Sequence, residues 1–202
     1  MHAVILSIDT KDPILRLLPS YNRYMNLWHD IPLGENAPDE INVIIEIPKD
    51  SHNKYEIDKE TGLIKLDRAN YGAAAYPFDY GFSPRTLWED GDALDVMLLS
   101  TFPLHPGILV NARPVAVMEM TDSGESDYKI IAVPVDDRRW DDVQDLKDLN
   151  KHNLREYQNF FETIKQLKSK PAVVTVHGFK GKNEALEAIK KSVELYNEKF
   201  GK

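Results

Sequence analysis

About seven short runs of strand character, separated by turn residues, dominate the chain, and helical spacing comes late. The first run is Val43-Ile44-Ile45-Glu46-Ile47, ended by Pro48. Lys54 to Asp58 and Leu63 to Leu66 flank Lys59-Glu60-Thr61-Gly62, where glycine supplies the positive φ of a hairpin turn. Asp95 to Ser100, Val115 to Met120, Lys129 to Pro134 and Ala172 to Val176 complete the set. Many short strands with loop-rich joins bury their faces most simply by closing on themselves, so the expected architecture is a β-barrel.

Helices are expected outside that barrel. Leu154, Tyr157, Phe161 and Ile164 recur at helical spacing, as do Leu186, Ile189, Val193 and Tyr196, with Asn183 as N-cap of the second helix. A shorter amphipathic piece, Trp140 to Leu149, precedes them. Residues 1–24 lack this patterning and read as an appendage, with Met25 offering an alternative start; residues 25–202 read as one domain. The fold class is thus mainly β, or α+β, with C-terminal helices.

Composition narrows the chemistry. The 202 residues include no cysteine, which excludes disulfides, thiolate nucleophiles and cysteine-based zinc sites. No apolar run approaches the ~20 residues of a membrane span, and Ala3 to Ile8 lacks the basic flank of a secretory signal. A cytoplasmic protein without a membrane partner is expected. The net charge of −8 argues against nucleic acid, although an acidic protein can hold a polyanion through intervening cations.

The segment Asp90-Gly91-Asp92-Ala93-Leu94-Asp95-Val96 is the most informative. Three aspartates at i, i+2 and i+5 repel one another unless they are solvated, protonated or bridged by a cation. An oxygen-only donor set suits a hard cation such as Mg²⁺. It is not a calcium loop, because the run enters a strand rather than a helix. Asp122-Ser123-Gly124-Glu125-Ser126-Asp127 is a second acidic loop, and two such loops at one end of a barrel could hold more than one metal. Each alone is equally well read as a solvated turn. Lys54, Arg68, Lys129 and Lys165 are candidates to bind an anion beside the metals, with Tyr76 and Tyr80 as further donors. Glu46 interrupts an apolar strand, where an unpaired carboxylate is costly, and Lys54 and Glu56 share one strand face.

Taken in order, these motifs resemble the family I soluble inorganic pyrophosphatases. The resemblance runs over roughly residues 27–197 and includes Lys54-Tyr55-Glu56-Ile57-Asp58, Asp67-Arg68, Tyr76-Pro77-Phe78-Asp79-Tyr80-Gly81 and Ala132-Val133-Pro134. It implies an OB-like five-stranded barrel with flanking strands, several Mg²⁺ ions per active site, a homo-oligomer and diphosphate as substrate. By the same resemblance Asp90, Asp95 and Asp127 form a tight metal site, Asp95 bridges to a second metal, Asp122 is a further ligand and Asp92 is the general base. Glu46 holds metal-bound water. Lys54, Arg68, Tyr80 and Lys165 bind phosphate, while Glu56, Tyr76 and Lys129 support the cavity. The chain departs from the family at Ser123, where glutamate is usual, and at Ile164, where a phosphate-binding tyrosine is usual. Weaker substrate binding is the expected consequence. The competing readings are a non-catalytic OB-like binding module and a degenerate homologue that binds diphosphate without turnover.

Overall fold

A computed structural model describes residues 25–201. The appendage expected over residues 1–24 lies outside the described residues. Nine strands and two helices follow in the order β1 (Ile41–Ile47), β2 (Asn53–Ile57), β3 (Ile64–Ala69), β4 (Asp79–Phe82), β5 (Asp95–Leu98), β6 (Leu109–Asp122), β7 (Glu125–Ser126), β8 (Lys129–Pro134), α1 (Lys151–Thr163), β9 (Val174–Lys180) and α2 (Lys182–Phe200). β1, β4, β5, β8 and β6 pair in that order, and β6 pairs back to β1, so five strands close a ring. The ring follows from β1, which is apolar on both faces and buried along nearly its whole length. β7 and β9 extend β6, while β2 and β3 form a separate hairpin.

β4 crosses β1 so closely that a Cβ on Gly81 would stand 1.9 Å from the Ile44 carbonyl oxygen. Only glycine fits there. β5 and β8 are parallel with Asp95 opposite Lys129, and β6 runs antiparallel to β8. The starts of β5 and β8 and the end of β6 therefore share one end of the ring. That geometry brings the two acidic loops together.

α1 lays Tyr157, Phe160 and Phe161 onto a cluster with Phe78, Tyr76 and Met118, with Leu154 and Ile164 at its margin. α2 presses Ala185, Ala188 and Ile189 against Ile41, Val43 and Val117. Two local expectations are corrected. Asn183 lies within α2; Gly181 precedes the helix without a side-chain cap. Trp140 to Leu149 is not one helix but holds parts of two single 3₁₀ turns, Arg138–Trp140 and Leu146–Asp148, each capped by an aspartate, Asp137 and Asp145. Side chains that bond their own turn compete with helix propagation.

Candidate active site

All thirteen candidate residues line a single cavity of about 550 Å³ at the loop-bearing end of the ring. Glu46, Lys54, Glu56, Arg68, Tyr76, Tyr80, Asp90, Asp92, Asp95, Asp122, Asp127, Lys129 and Lys165 come from seven strands, the segment before β4, the two acidic loops and the turn after α1. Nine carboxylates and six cationic side chains line it, so the cavity is acidic even before an anion enters.

At its floor, the Lys129 ammonium donates to Asp95 Oδ2 at 2.5 Å and to Asp127. The lysine side chain is only 3 % exposed. Desolvation pulls its pKa down, but Asp95 and Asp127 outweigh it and the net shift is upward. The Tyr80 hydroxyl donates to Asp95 Oδ2 at 2.6 Å. Burial, followed by the charge of Asp95, raises the Tyr80 pKa and keeps that phenol protonated. Asp95 itself is raised by desolvation and the neighbouring Asp127, against the pull of Lys129. Asp90 is pushed up to about 7, first by desolvation and then by Asp127 and Asp95. A carboxyl in that state gains most from a cation, which would stabilise its charged form.

Gly91 takes φ +87°, which lets the backbone fold back so that Asp92 N–H donates to Asp90 Oδ1 at 3.0 Å. Ser123 and Gly124, with φ of 55° and 92°, make the corresponding turn between β6 and β7. There the Ser123 hydroxyl donates to Asp122 Oδ1 at 3.0 Å, and Lys165 pairs with the other oxygen. Desolvation opposes ionisation of Asp122, but Lys165 outweighs it and the net shift is downward.

The opposite wall is the β2–β3 hairpin. Register places Lys54 beside Arg68 and Glu56 beside Lys65. Lys54 pairs with Glu56 at 3.0 Å and Asp67 at 3.3 Å, while Arg68 pairs with Asp67. Glu46, 6 % exposed, accepts the Ile57 N–H at 2.6 Å and is pushed up to about 8, chiefly by burial and then by Asp95. Lys59, at the hairpin tip, pairs with Asp92. The sequence marks it only as part of a turn; its partner lies 33 residues away, and nothing local marks that pairing.

The donor set suits a hard cation: the titratable groups lining the cavity are carboxylates, amines, a guanidinium and phenols, without histidine. Among the described residues, however, no three carboxylates or imidazoles stand already grouped as a cage. Lys129 sits between Asp95 and Asp127, and Lys59 and Lys165 engage Asp92 and Asp122. The carboxylates fit metal binding once these ammonium groups yield place.

The sequence profile of the inorganic pyrophosphatases matches residues 43–197. An inorganic pyrophosphatase of Picrophilus torridus is 44 % identical over 172 residues, 85 % of this chain and 96 % of that one. Soluble inorganic pyrophosphatase 1 of Arabidopsis thaliana is 47 % identical over 171 residues, covering 85 % and 80 %. The crystal structure of the Thermus thermophilus inorganic pyrophosphatase superposes with a TM-score of 0.83 at 44 % identity, over 86 % of this chain and 99 % of that one. The chain belongs to the family I inorganic pyrophosphatases. Among the described residues no helix is long and apolar enough to cross a membrane.

Proposed function

We propose that this protein is a Mg²⁺-dependent inorganic diphosphatase that hydrolyses diphosphate to two phosphates in the acidic cavity. The observation that carries the reading is the convergence of all thirteen residues on one cavity in a chain of this family. Asp90, Asp95 and Asp127 would hold the tighter metal and Asp122 a further one. Bound Mg²⁺ would supply charge neutralisation and a water acidified toward neutral pH.

The residues of the chain do the rest. Asp92, the most solvent-open of the loop aspartates, takes the proton of the attacking water or orients it. Lys54 and Arg68, side by side on the hairpin, reach one phosphate. Lys165 exchanges Asp122 for a phosphate oxygen, and the Tyr80 phenol, kept protonated by burial, donates to another. These cationic groups act on charge that shifts to the leaving phosphate, and once substrate has drawn them from their carboxylate partners they need no further reorganisation during the reaction. Glu46 orients water at the hairpin side. Glu56, Tyr76 and Lys129 hold the walls.

We further propose that the protein acts in the cytoplasm, as a homo-oligomer, with residues 25–202 as its one domain and 1–24 as an appendage. Exposed Phe102 and Ile108 in the β5–β6 connection and Leu109 at the start of β6 support self-association, which sedimentation would check. The activity is tested by phosphate release from diphosphate with Mg²⁺, with Ca²⁺ and with chelator. Mg²⁺ should support turnover. Ca²⁺, larger and less polarising, should inhibit the Mg²⁺ enzyme. Tight diphosphate binding without phosphate release under any metal would replace this reading with the degenerate one.

A further inference from the structure

A second cavity, of about 410 Å³, is lined by the residues that flank the metal-loop aspartates: Trp88 and Glu89 before Asp90, Ser126 and Tyr128 on either side of Asp127. Neighbours in an extended segment face opposite ways, so Ser126 and Tyr128 turn away from the acidic cavity that Asp127 lines, and Trp88, ahead of the Asp90 turn, meets them there. Trp88 is 4 % exposed and stacks on Tyr128 with ring centroids 5.0 Å apart at 30°. Its indole Nε1–H donates to Ser126 Oγ at 3.2 Å. Lys191 of α2 lies over the same indole at 5.0 Å and pairs with Glu89.

The backbone of Trp88 also closes the Asp90 turn from both sides. Its N–H donates to the Asp92 carbonyl at 2.7 Å, and its carbonyl accepts the Gly91 N–H at 3.0 Å. One residue therefore defines the Asp90–Asp92 turn through its main chain and joins that turn to the Asp127 segment through its side chain. The Asp127 segment has its own tie, Asp127 N–H to the Met120 carbonyl at 3.0 Å, which fixes it to β6 but not to the other loop.

We propose that Trp88 is a positioning residue for the acidic cavity: its indole, held by Ser126, Tyr128 and Lys191, sets the separation of Asp90 and Asp127 and thereby the divalent-cation affinity. This rests on the reading that these two aspartates hold metal. A residue that only filled the core would change stability and leave cation affinity alone. A positioning residue changes affinity in a folded protein.

The test is Mg²⁺ titration calorimetry on the substrate-free full chain, with urea denaturation and kinetics at saturating Mg²⁺ alongside. Partners behind metal ligands typically carry about 10–100-fold in affinity, so Trp88→Ala should raise the Mg²⁺ dissociation constant at least about tenfold. Trp88→Phe, which keeps a ring but loses the N–H, and Ser126→Ala, which removes the acceptor, should each raise it a few-fold. KM for diphosphate at saturating Mg²⁺ should stay near wild type. If Trp88→Ala fails to fold, Ser126→Ala decides. Wild-type Mg²⁺ affinity in the folded variants, alongside loss of affinity in Asp90→Asn, would overturn the proposal and leave the metal reading standing. Unchanged affinity in Asp90→Asn as well would remove the metal reading, and the proposal with it.

Discussion

Lys129→Met isolates the electrostatic floor of the cavity. Methionine keeps most of the length and apolar stem of lysine but removes the charge, leaving Asp95 and Asp127 facing each other with side chains 22 % and 14 % exposed. Removing one partner of a buried ion pair costs about 3–5 kcal/mol. Protonation limits that penalty. Neutralising one aspartate from an ordinary pKa near 3.9 takes about 4 kcal/mol at pH 7 and about 1.5 kcal/mol at pH 5. The sign follows from the shifts. The wild-type Lys129 pKa is raised, so the lysine's stabilisation is fully present between pH 5 and 7. In the variant the Asp95 pKa, already raised, rises further, so stability falls as pH climbs above the ordinary carboxylate range. Urea denaturation in chelator should therefore show a loss of about 3–4 kcal/mol at pH 7 that shrinks to about 1–2 kcal/mol at pH 5. In a domain of this size each kcal/mol shifts Tm by about 2–4 °C. Mg²⁺ at about 100 times its dissociation constant should return some 2.7 kcal/mol to a variant that still binds it. A loss below about 1 kcal/mol, or one equal at both pH values, would refute the view that the ammonium offsets two buried charges.

Asp92→Asn should leave Mg²⁺ affinity and fold intact and lower kcat about 10²-fold or more; near wild-type kcat across the pH range removes Asp92 as base. Ile164 caps α1 at its C-terminal end and lines the cavity, so Ile164→Tyr should add a donor to phosphate and lower KM about tenfold, with a smaller effect on kcat. An unchanged KM would show that the hydroxyl does not reach substrate. His29 stacks on Trp28 with its Nδ1 2.8 Å from the Tyr196 hydroxyl, and desolvation lowers its pKa from 6.5 against the pull of Asp30. The folded state resists the proton that the unfolded chain accepts, so stability contributed above pH 6.5 is lost as pH falls below it. Tm of His29→Phe should accordingly fall less than that of wild type between pH 7 and pH 5; equal slopes would count against it.

How much of this could be read from the sequence depends on how local each cause is. β1, β8 and the β2–β3 hairpin were legible because apolar runs and turn residues mark them directly. β4 was not. Its four residues, Asp79–Phe82, contain a glycine and no β-branched side chain, and they form a strand because Gly81 lets them cross Ile44. β6 extends back to Leu109 past Pro114, which sits at a register shift against β8. A proline that would end an ordinary central strand is accommodated at such an irregularity, and the local pattern shows only the proline. The site divides in the same way. The aspartates announce themselves by mutual proximity in sequence, since like charges at that spacing need solvent, a proton or a cation. Their partners do not. Lys59 meets Asp92 only because the hairpin folds over the cavity, and Lys129 meets Asp95 only through the parallel register of β5 and β8. Lys129 stands two residues from Asp127, but the charges that balance Asp92, Asp95 and Asp122 come from elements distant in the chain. Variants of those lysines and of Trp88 therefore test the assembled structure, whereas variants of the aspartates test the motif.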